Sequence, residues 1–199
     1  MKKLLLFGVS VAFAVLANAQ VVNMSNEAFN KELKPAFVMP LDYSKKLVDE
    51  AVTNRFKADK LKGKSAGAMT LYAKTTYSSM CVSNCDIYTK VDGNGKSATL
   101  TIFVARENGN FVISGDDEEQ CIKKYMVGLI TDIKALELQY QIEEQTKVCE
   151  KAQKEYEKLL DKKASLEKDL KNTEKAIQDA EKEKDAQKNI LEQLKAKQK

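Results

Sequence analysis

The sequence predicts an α+β protein: a small α-β-β-β-α head domain with the last helix extended into a long C-terminal coiled coil. Alternating apolar and polar residues between Ala68 and Ala105 are typical of strands. No Gly or Pro occurs after Gly128, so no local breaker interrupts a helix from there onward. The expected divisions are a signal peptide at 1–19, an irregular N-terminal arm at 20–40, the α+β head domain at 41–136 and the coiled-coil helix at 137–199.

The first 19 residues have the pattern of an export signal. Lys2 and Lys3 precede an apolar run that ends at the small-residue motif Ala17-Asn18-Ala19. The run is about 13 residues long, which is shorter than the roughly 20 residues needed to span a bilayer. We therefore expect cleavage after Ala19 and a periplasmic or secreted protein without a transmembrane segment.

The arm and the first helix follow the export signal. Pro35 and Pro40 indicate irregular backbone in the arm. Asp42 can then accept hydrogen bonds from the first turn of a helix, and Gly63 is suited to end that helix. Apolar residues recur at helical spacing between them, which predicts a single buried face.

Three strands and a turn come next. The segment Asp92-Gly93-Asn94-Gly95-Lys96 contains Gly and Asn residues that tolerate positive φ angles, so it predicts a hairpin turn between the second and third strands. Asp116 and Glu119 then fit a capping box at the start of the last helix. The predicted strands are residues 68–77, 86–91 and 97–105.

The C-terminal helix carries a seven-residue apolar repeat from Ile142 onward, which is the pattern of a coiled coil. A helix of about 80 residues would be about 120 Å long, longer than the head domain could cover, so the apolar seam needs a partner. Gln145, Lys163, Lys184 and Gln187 weaken the seam, and the charged pairs beside it do not decide between parallel and antiparallel chains. The apolar seam residues are Ile142, Cys149, Tyr156, Leu159, Leu166, Leu170, Ile177, Leu191 and Leu194.

Four cysteines in an exported chain favour disulfide formation if the compartment is oxidising. On one continuous helix Cys121 and Cys149 would lie about 42 Å apart, far beyond the roughly 7 Å that a disulfide allows between Cα atoms. We expect one bridge among Cys81, Cys85 and Cys121, with Cys149 apart. Cys149 is then either a small apolar seam residue or, in a parallel in-register pair, an interchain thiol.

The composition argues against most enzyme chemistry. The absence of His removes Ser-His-Asp and Cys-His catalysis and all imidazole metal sites. Cys81-x-x-x-Cys85 lacks the two further ligands of a structural zinc site, and no acidic loop matches an EF-hand. The net charge of +4 is too small an excess to indicate nucleic-acid binding. We expect no catalytic residues, cofactor or metal.

A basic patch lies near the end of the first helix. It could bind phosphate, lipid headgroups or acidic glycans. The alternative is a solvated helix end, where cations offset the helix dipole. The patch consists of Arg55, Lys57, Lys60, Lys62 and Lys64.

These features favour an exported, non-enzymatic structural or interaction protein. Its globular head would be oligomerised or scaffolded by the coiled coil, through self-association or another helical partner. An export signal, a small strand-containing body and a long Lys/Glu-rich helix also give the chain a layout similar to that of the OmpH/Skp-type periplasmic chaperones. Two alternatives are a periplasmic holdase with client-gripping helices and an anion- or lipid-headgroup-binding head.

Overall fold

The computed structural model describes residues 21–196, which form an α+β fold with a long final helix, as predicted. The predicted signal peptide lies outside the described residues. Within them the sheet has six strands, where the sequence predicted three. In chain order the elements are β1 (Asn23–Phe29), β2 (Glu32–Leu41), α1 (Lys45–Ala58), β3 (Lys64–Ala66), β4 (Met69–Tyr77), β5 (Val82–Gly93), β6 (Ala98–Ala105) and α2 (Glu119–Ala196).

The sheet is antiparallel, with strand order β1-β2-β6-β5-β4-β3. The β5–β6 hairpin closes as predicted, with Gly93 paired with Ala98 and the Asn94 N–H donating to the Ser97 carbonyl. Gly93 has a φ of 145°, and a Cβ there would lie 2.3 Å from the Ser97 carbonyl oxygen. Only glycine fits this turn.

The prediction of an irregular arm at residues 20–40 was wrong. The part of this segment that the structure describes contains β1 and most of β2, joined by a tight turn at Asn30 and Lys31 with φ angles of 48° and 72°. Proline is uncommon inside a sheet because it lacks an N–H, yet β2 contains both Pro35 and Pro40. The prolines obscured the alternation of buried residues in the second half of this strand.

Both helices of the fold contribute to one apolar core on one face of the sheet. Ser44, rather than Asp42, caps α1, because the Leu47 N–H donates to the Ser44 hydroxyl at 3.3 Å. The ring of Phe56 stacks on that of Tyr72 with centroids 4.0 Å apart. The core residues from the two helices are Leu47, Val48, Ala51, Val52, Phe56, Ile122, Tyr125, Met126, Leu129 and Ile133.

The start of α2 differs from the predicted capping box. The Asp116 carboxylate accepts from the Ile113 N–H at 2.8 Å, whereas that of Glu119 accepts from the Gly115 N–H at 2.8 Å. Arg106 binds both Asp116 and Glu118 at 2.8 Å. The hydrogen bond from Arg106 is the main reason that the pKa of the Glu118 carboxyl is lowered.

The disulfide joins Cys81 to Cys121, one of the pairings that the sequence left open. Cys81 follows the short 3-10 turn after β4 and has a φ of 56°, and Cys121 lies in the first turn of α2. Their Cα atoms are 5.7 Å apart, and the bridge closes a loop of 40 residues. Closing such a loop contributes about 4 kcal/mol in the chain-entropy model.

The chain divides into two units after Gln139. We call residues 21–139 the head and residues 140–196 the distal segment. The distal segment is entirely helical and, at 1.5 Å per residue, roughly 85 Å long. No helix among residues 21–196 is long and apolar enough to cross a membrane.

Candidate functional site

The distal segment presents apolar side chains to solvent along its length. Every residue from 140 to 196 is exposed. Leu166 and Leu170 expose 57% and 60% of their surface. Large apolar residues of a helix usually pack against a core. These residues pack against no core within the described chain. The exposed large apolar residues are Tyr140, Ile142, Val148, Tyr156, Leu159, Leu160, Leu166, Leu170, Ile177, Ile190, Leu191 and Leu194.

The middle of the segment carries an open depression lined by leucines. Leu159, Leu166 and Leu170 line an open depression of about 420 Å³ together with the side chains of Lys162 and Lys163. The Lys163 ammonium lies 3.6 Å from a Glu167 carboxylate oxygen. Because the Lys163 ammonium points toward Glu167, its aliphatic stem can remain on the seam. This reduces the free-energy cost of placing a charged residue at a seam position.

Thr173 is compatible with a seam position for a similar reason. Its hydroxyl donates to the Asp169 carbonyl at 2.9 Å within the helix, so the polar group already has a partner. Thr146 does the same with the Ile142 carbonyl at 2.8 Å. These local bonds leave the threonine methyl groups available for apolar contact.

The two cysteines outside the disulfide have opposite environments. Cys85 is buried in β5, and burial raises the pKa of its thiol. Cys149 is exposed on the distal segment, with the Gln145 amide nitrogen 3.9 Å from its sulfur. Of the thiols in the described chain, Cys149 is therefore the one open to another molecule.

Arg55 does not belong to the predicted basic patch. Its guanidinium lies 3.1 Å from the Asp132 carboxylate and 4.6 Å from the centre of the Tyr125 ring. A Cβ at Gly128 would lie 3.1 Å from the guanidinium nitrogens, so glycine permits this close packing inside α2. A glycine within an otherwise helical pattern was the sequence signal for such an approach.

The lysines of the patch divide into two groups. Lys57, Lys62 and Lys64 line one groove beside α1, and Lys60 does not. Lys45 and Lys90, which sequence reasoning did not include, line the same groove. Sequence reasoning missed these two lysines because they are distant along the chain from the rest of the patch. Only the packing of α1 on the sheet brings them to the groove.

No group of three or more His, Cys, Asp or Glu residues suited to a metal ion occurs in the described part of the chain. No family model, curated protein or solved structure that we compared with this chain matches it. Two surfaces of the described chain are therefore candidate sites: the apolar seam of the distal segment and the lysine-lined groove of the head.

Proposed function

We propose that this protein is an exported, non-enzymatic interaction protein, in which the distal segment pairs with the distal segment of a second copy as a coiled coil. The observation that carries the proposal is the row of exposed apolar residues at heptad spacing from Ile142 to Leu194. Such spacing keeps one stripe facing a partner helix over many turns. The paired segments would then hold two heads together.

The energetics favour pairing over solvent exposure. Complete burial of a Leu or Ile side chain contributes about 1.5–3 kcal/mol. Association costs on the order of 4–15 kcal/mol in lost freedom. Several buried leucines and isoleucines in each chain can offset this cost, whereas one or two could not. Lys163, Lys184, Gln145 and Gln187 reduce the gain, so we expect moderate rather than extreme affinity.

The distribution of charges supports pairing without specifying a direction. In a parallel pair Lys162 would meet Glu167 of the other chain, and Glu183 would meet Lys188, both favourably. Asp169 would meet Glu174 unfavourably. A second copy is the simplest partner because these groups belong to one sequence.

The disulfide supports an extracytoplasmic location. Stable disulfides are characteristic of secreted and periplasmic proteins, since cytoplasmic reductants keep thiols reduced. The Cys81–Cys121 bridge fits that environment, as does the export signal expected at residues 1–19.

Sedimentation of the mature chain under conditions that preserve the disulfide tests the proposal. The double variant Leu166→Asp/Leu170→Asp should weaken association by at least about 100-fold, because it places charges on the seam. Asn172→Asp/Gln178→Asp makes the same change in charge off the seam and should leave association intact. Oxidation of the same samples reports direction, because Cys149 meets its own copy when the chains are parallel and in register.

A wild-type protein that stays monomeric at about 100 μM, far above a moderate dissociation constant, would contradict the proposed dimer. A monomer that suppresses the aggregation of an unfolded client without nucleotide would instead support the chaperone-like hypothesis. Equal weakening by both double variants would assign the effect to charge rather than to the seam.

A further inference from the structure

A lysine-lined groove runs beside α1 in the head. Lys45, Asp49, Thr53 and Lys57 follow each other at four-residue intervals, so they share one face of the helix and form one side of the groove. At 1.5 Å per residue, this row is about 18 Å long. The opposite side comes from the β3–β4 hairpin and from β5.

The charges of the groove are unbalanced. Five lysines and one carboxylate, that of Asp49, line it. Lys90 is neutralised by Asp92 at 2.6 Å, whereas Lys45, Lys57, Lys62 and Lys64 have no ion pair with a carboxylate of residues 21–196. Four positive side chains therefore converge on one groove without a counter-charge beyond Asp49.

The walls of the groove supply a firm base for these lysines. A Cβ at Gly63 would lie 2.4 Å from the Thr70 methyl carbon, so glycine allows the segment between Lys62 and Lys64 to lie directly against β4. Tyr72 and Thr89 are buried in the floor. Lys62 and Lys64 thus project from backbone that is held against the sheet.

The groove also offers neutral hydrogen-bond donors. The hydroxyl groups of Thr53, Ser65 and Thr70 belong to lining residues on both sides. Hydroxyl and ammonium donors together suit oxyanions, which accept several hydrogen bonds at once. The groove volume of about 700 Å³ lies within the range of roughly 300–1,000 Å³ of small-ligand sites.

We propose that this groove binds a ligand carrying two or more phosphate groups. Lysine ammonium groups act as point charges for phosphate, and those of Lys57, Lys62 and Lys64 would hold one phosphate at the C-terminal end of α1. Lys45 lies at the other end of the row, beyond Asp49, which favours separate phosphates over one extended anionic surface. The proposal goes beyond self-association, because it gives the head a ligand of its own.

Free oligophosphate and phosphorylated lipid headgroups share this chemistry. Calorimetric titration of the full mature chain with tripolyphosphate tests the free ligand. Flotation with vesicles that contain cardiolipin, a lipid that carries two phosphates, against phosphatidylcholine vesicles, tests the lipid source. Binding to tripolyphosphate alone assigns a free ligand, and binding to cardiolipin vesicles alone assigns a headgroup.

The variant Lys57→Gln/Lys62→Gln/Lys64→Gln should weaken binding by about 1,000-fold, since three charged hydrogen bonds are lost and each is worth roughly tenfold. The matched control Lys31→Gln/Lys60→Gln/Lys96→Gln removes the same charge from exposed positions outside the groove and should change binding less than about threefold. Asp49→Asn should strengthen binding, because it removes the carboxylate that repels phosphate.

Equal losses in the two triple variants would overturn the proposal, because binding would then follow net charge. Absence of binding of both probes to the wild-type protein would overturn it as well. The Leu166→Asp/Leu170→Asp variant leaves every groove residue in place and should bind tripolyphosphate normally. A failure of the groove can therefore be distinguished from a failure of the seam.

Discussion

The helix α2 contains two regions with the same kind of apolar residue in opposite environments. In the head, Leu129 is fully buried and Ile133 faces the same core. In the distal segment, Leu170 and Ile177 expose more than half of their surface. Secondary structure is the same in both regions, so it does not explain the difference. What differs is that the sheet supplies a packing surface for the first region only.

This comparison shows how a sequence pattern separates two uses of one helix. Between Ile122 and Ile133 the apolar residues form a broad stripe, which suits packing on a sheet. After Ile142 they narrow to a seven-residue repeat, which suits a partner helix. The first stripe is buried within the chain, and the second is exposed, as the proposed pairing requires.

The largest expected effect concerns the Cys81–Cys121 disulfide, a covalent link that the head part of α2 has and the distal segment lacks. The double variant Cys81→Ala/Cys121→Ala should lower the free energy of unfolding of the head by about 4 kcal/mol, since it opens a loop of 40 residues. Urea unfolding monitored by near-ultraviolet circular dichroism of the tyrosines measures this loss. Cys149→Ala should leave head stability unchanged. An equal loss of stability in that variant would contradict the difference between the head and the distal segment.

A matched pair of leucine substitutions tests the comparison directly. Leu129→Ala should destabilise the head by about 2–5 kcal/mol, because it leaves a cavity in the core. Leu170→Ala should change head unfolding by less than about 0.5 kcal/mol, because its side chain has no core contacts to lose. Both are measured by urea unfolding at protein concentrations low enough to prevent the proposed dimer from forming. A large effect of Leu170→Ala at these concentrations would show that the distal segment packs against the head.

The smallest expected effect concerns the ion pairs at the beginning of α2. Arg106→Gln should lower the free energy of unfolding by about 1–2 kcal/mol at pH 7, because Glu118 loses a partly buried charged partner. The pKa of Glu118 is lowered in the fold, so this contribution is fully present above the ordinary value of 4.5 and disappears as the pH falls through the lowered pKa.

Thermal unfolding of the wild-type protein and the Arg106→Gln variant between pH 7 and pH 2 measures that dependence. The two curves of stability against pH should converge in acid. Lys34→Gln removes a surface ion pair with Glu32 and serves as the control, with little change at any pH. A difference that persists unchanged at low pH would show that Arg106 acts through packing rather than through Glu118.

Local patterns were sufficient to predict part of this molecule. The long helix was predictable because it has no breaker after Gly128, and the β5–β6 hairpin because its turn contains Gly93 and Asn94. The disulfide could be narrowed to three cysteines, because distance along a helix excluded a bridge between Cys121 and Cys149. These predictions required only short-range chemistry.

Long-range packing determined what the sequence could not reveal. Arg55 lies 77 residues from Asp132 in the chain, so its ion pair follows only from the contact between the two helices. Lys45 and Lys90 reach the groove for the same reason. The first two strands were missed because Pro35 and Pro40 locally disfavour a strand. The pairing of β2 with β6 nevertheless stabilises one there.

The Cys81–Cys121 bridge also has a mechanical consequence. If the distal segment is pulled while the N-terminal strands are held, tension passes from Cys81 to Cys121 through the sulfur atoms. Residues 82–120, which contain β5 and β6, then lie outside the covalent path that carries the tension and cannot be pulled out to full length. A dimer joined at its distal segments could thus be stretched without extending the two strands at the centre of each head.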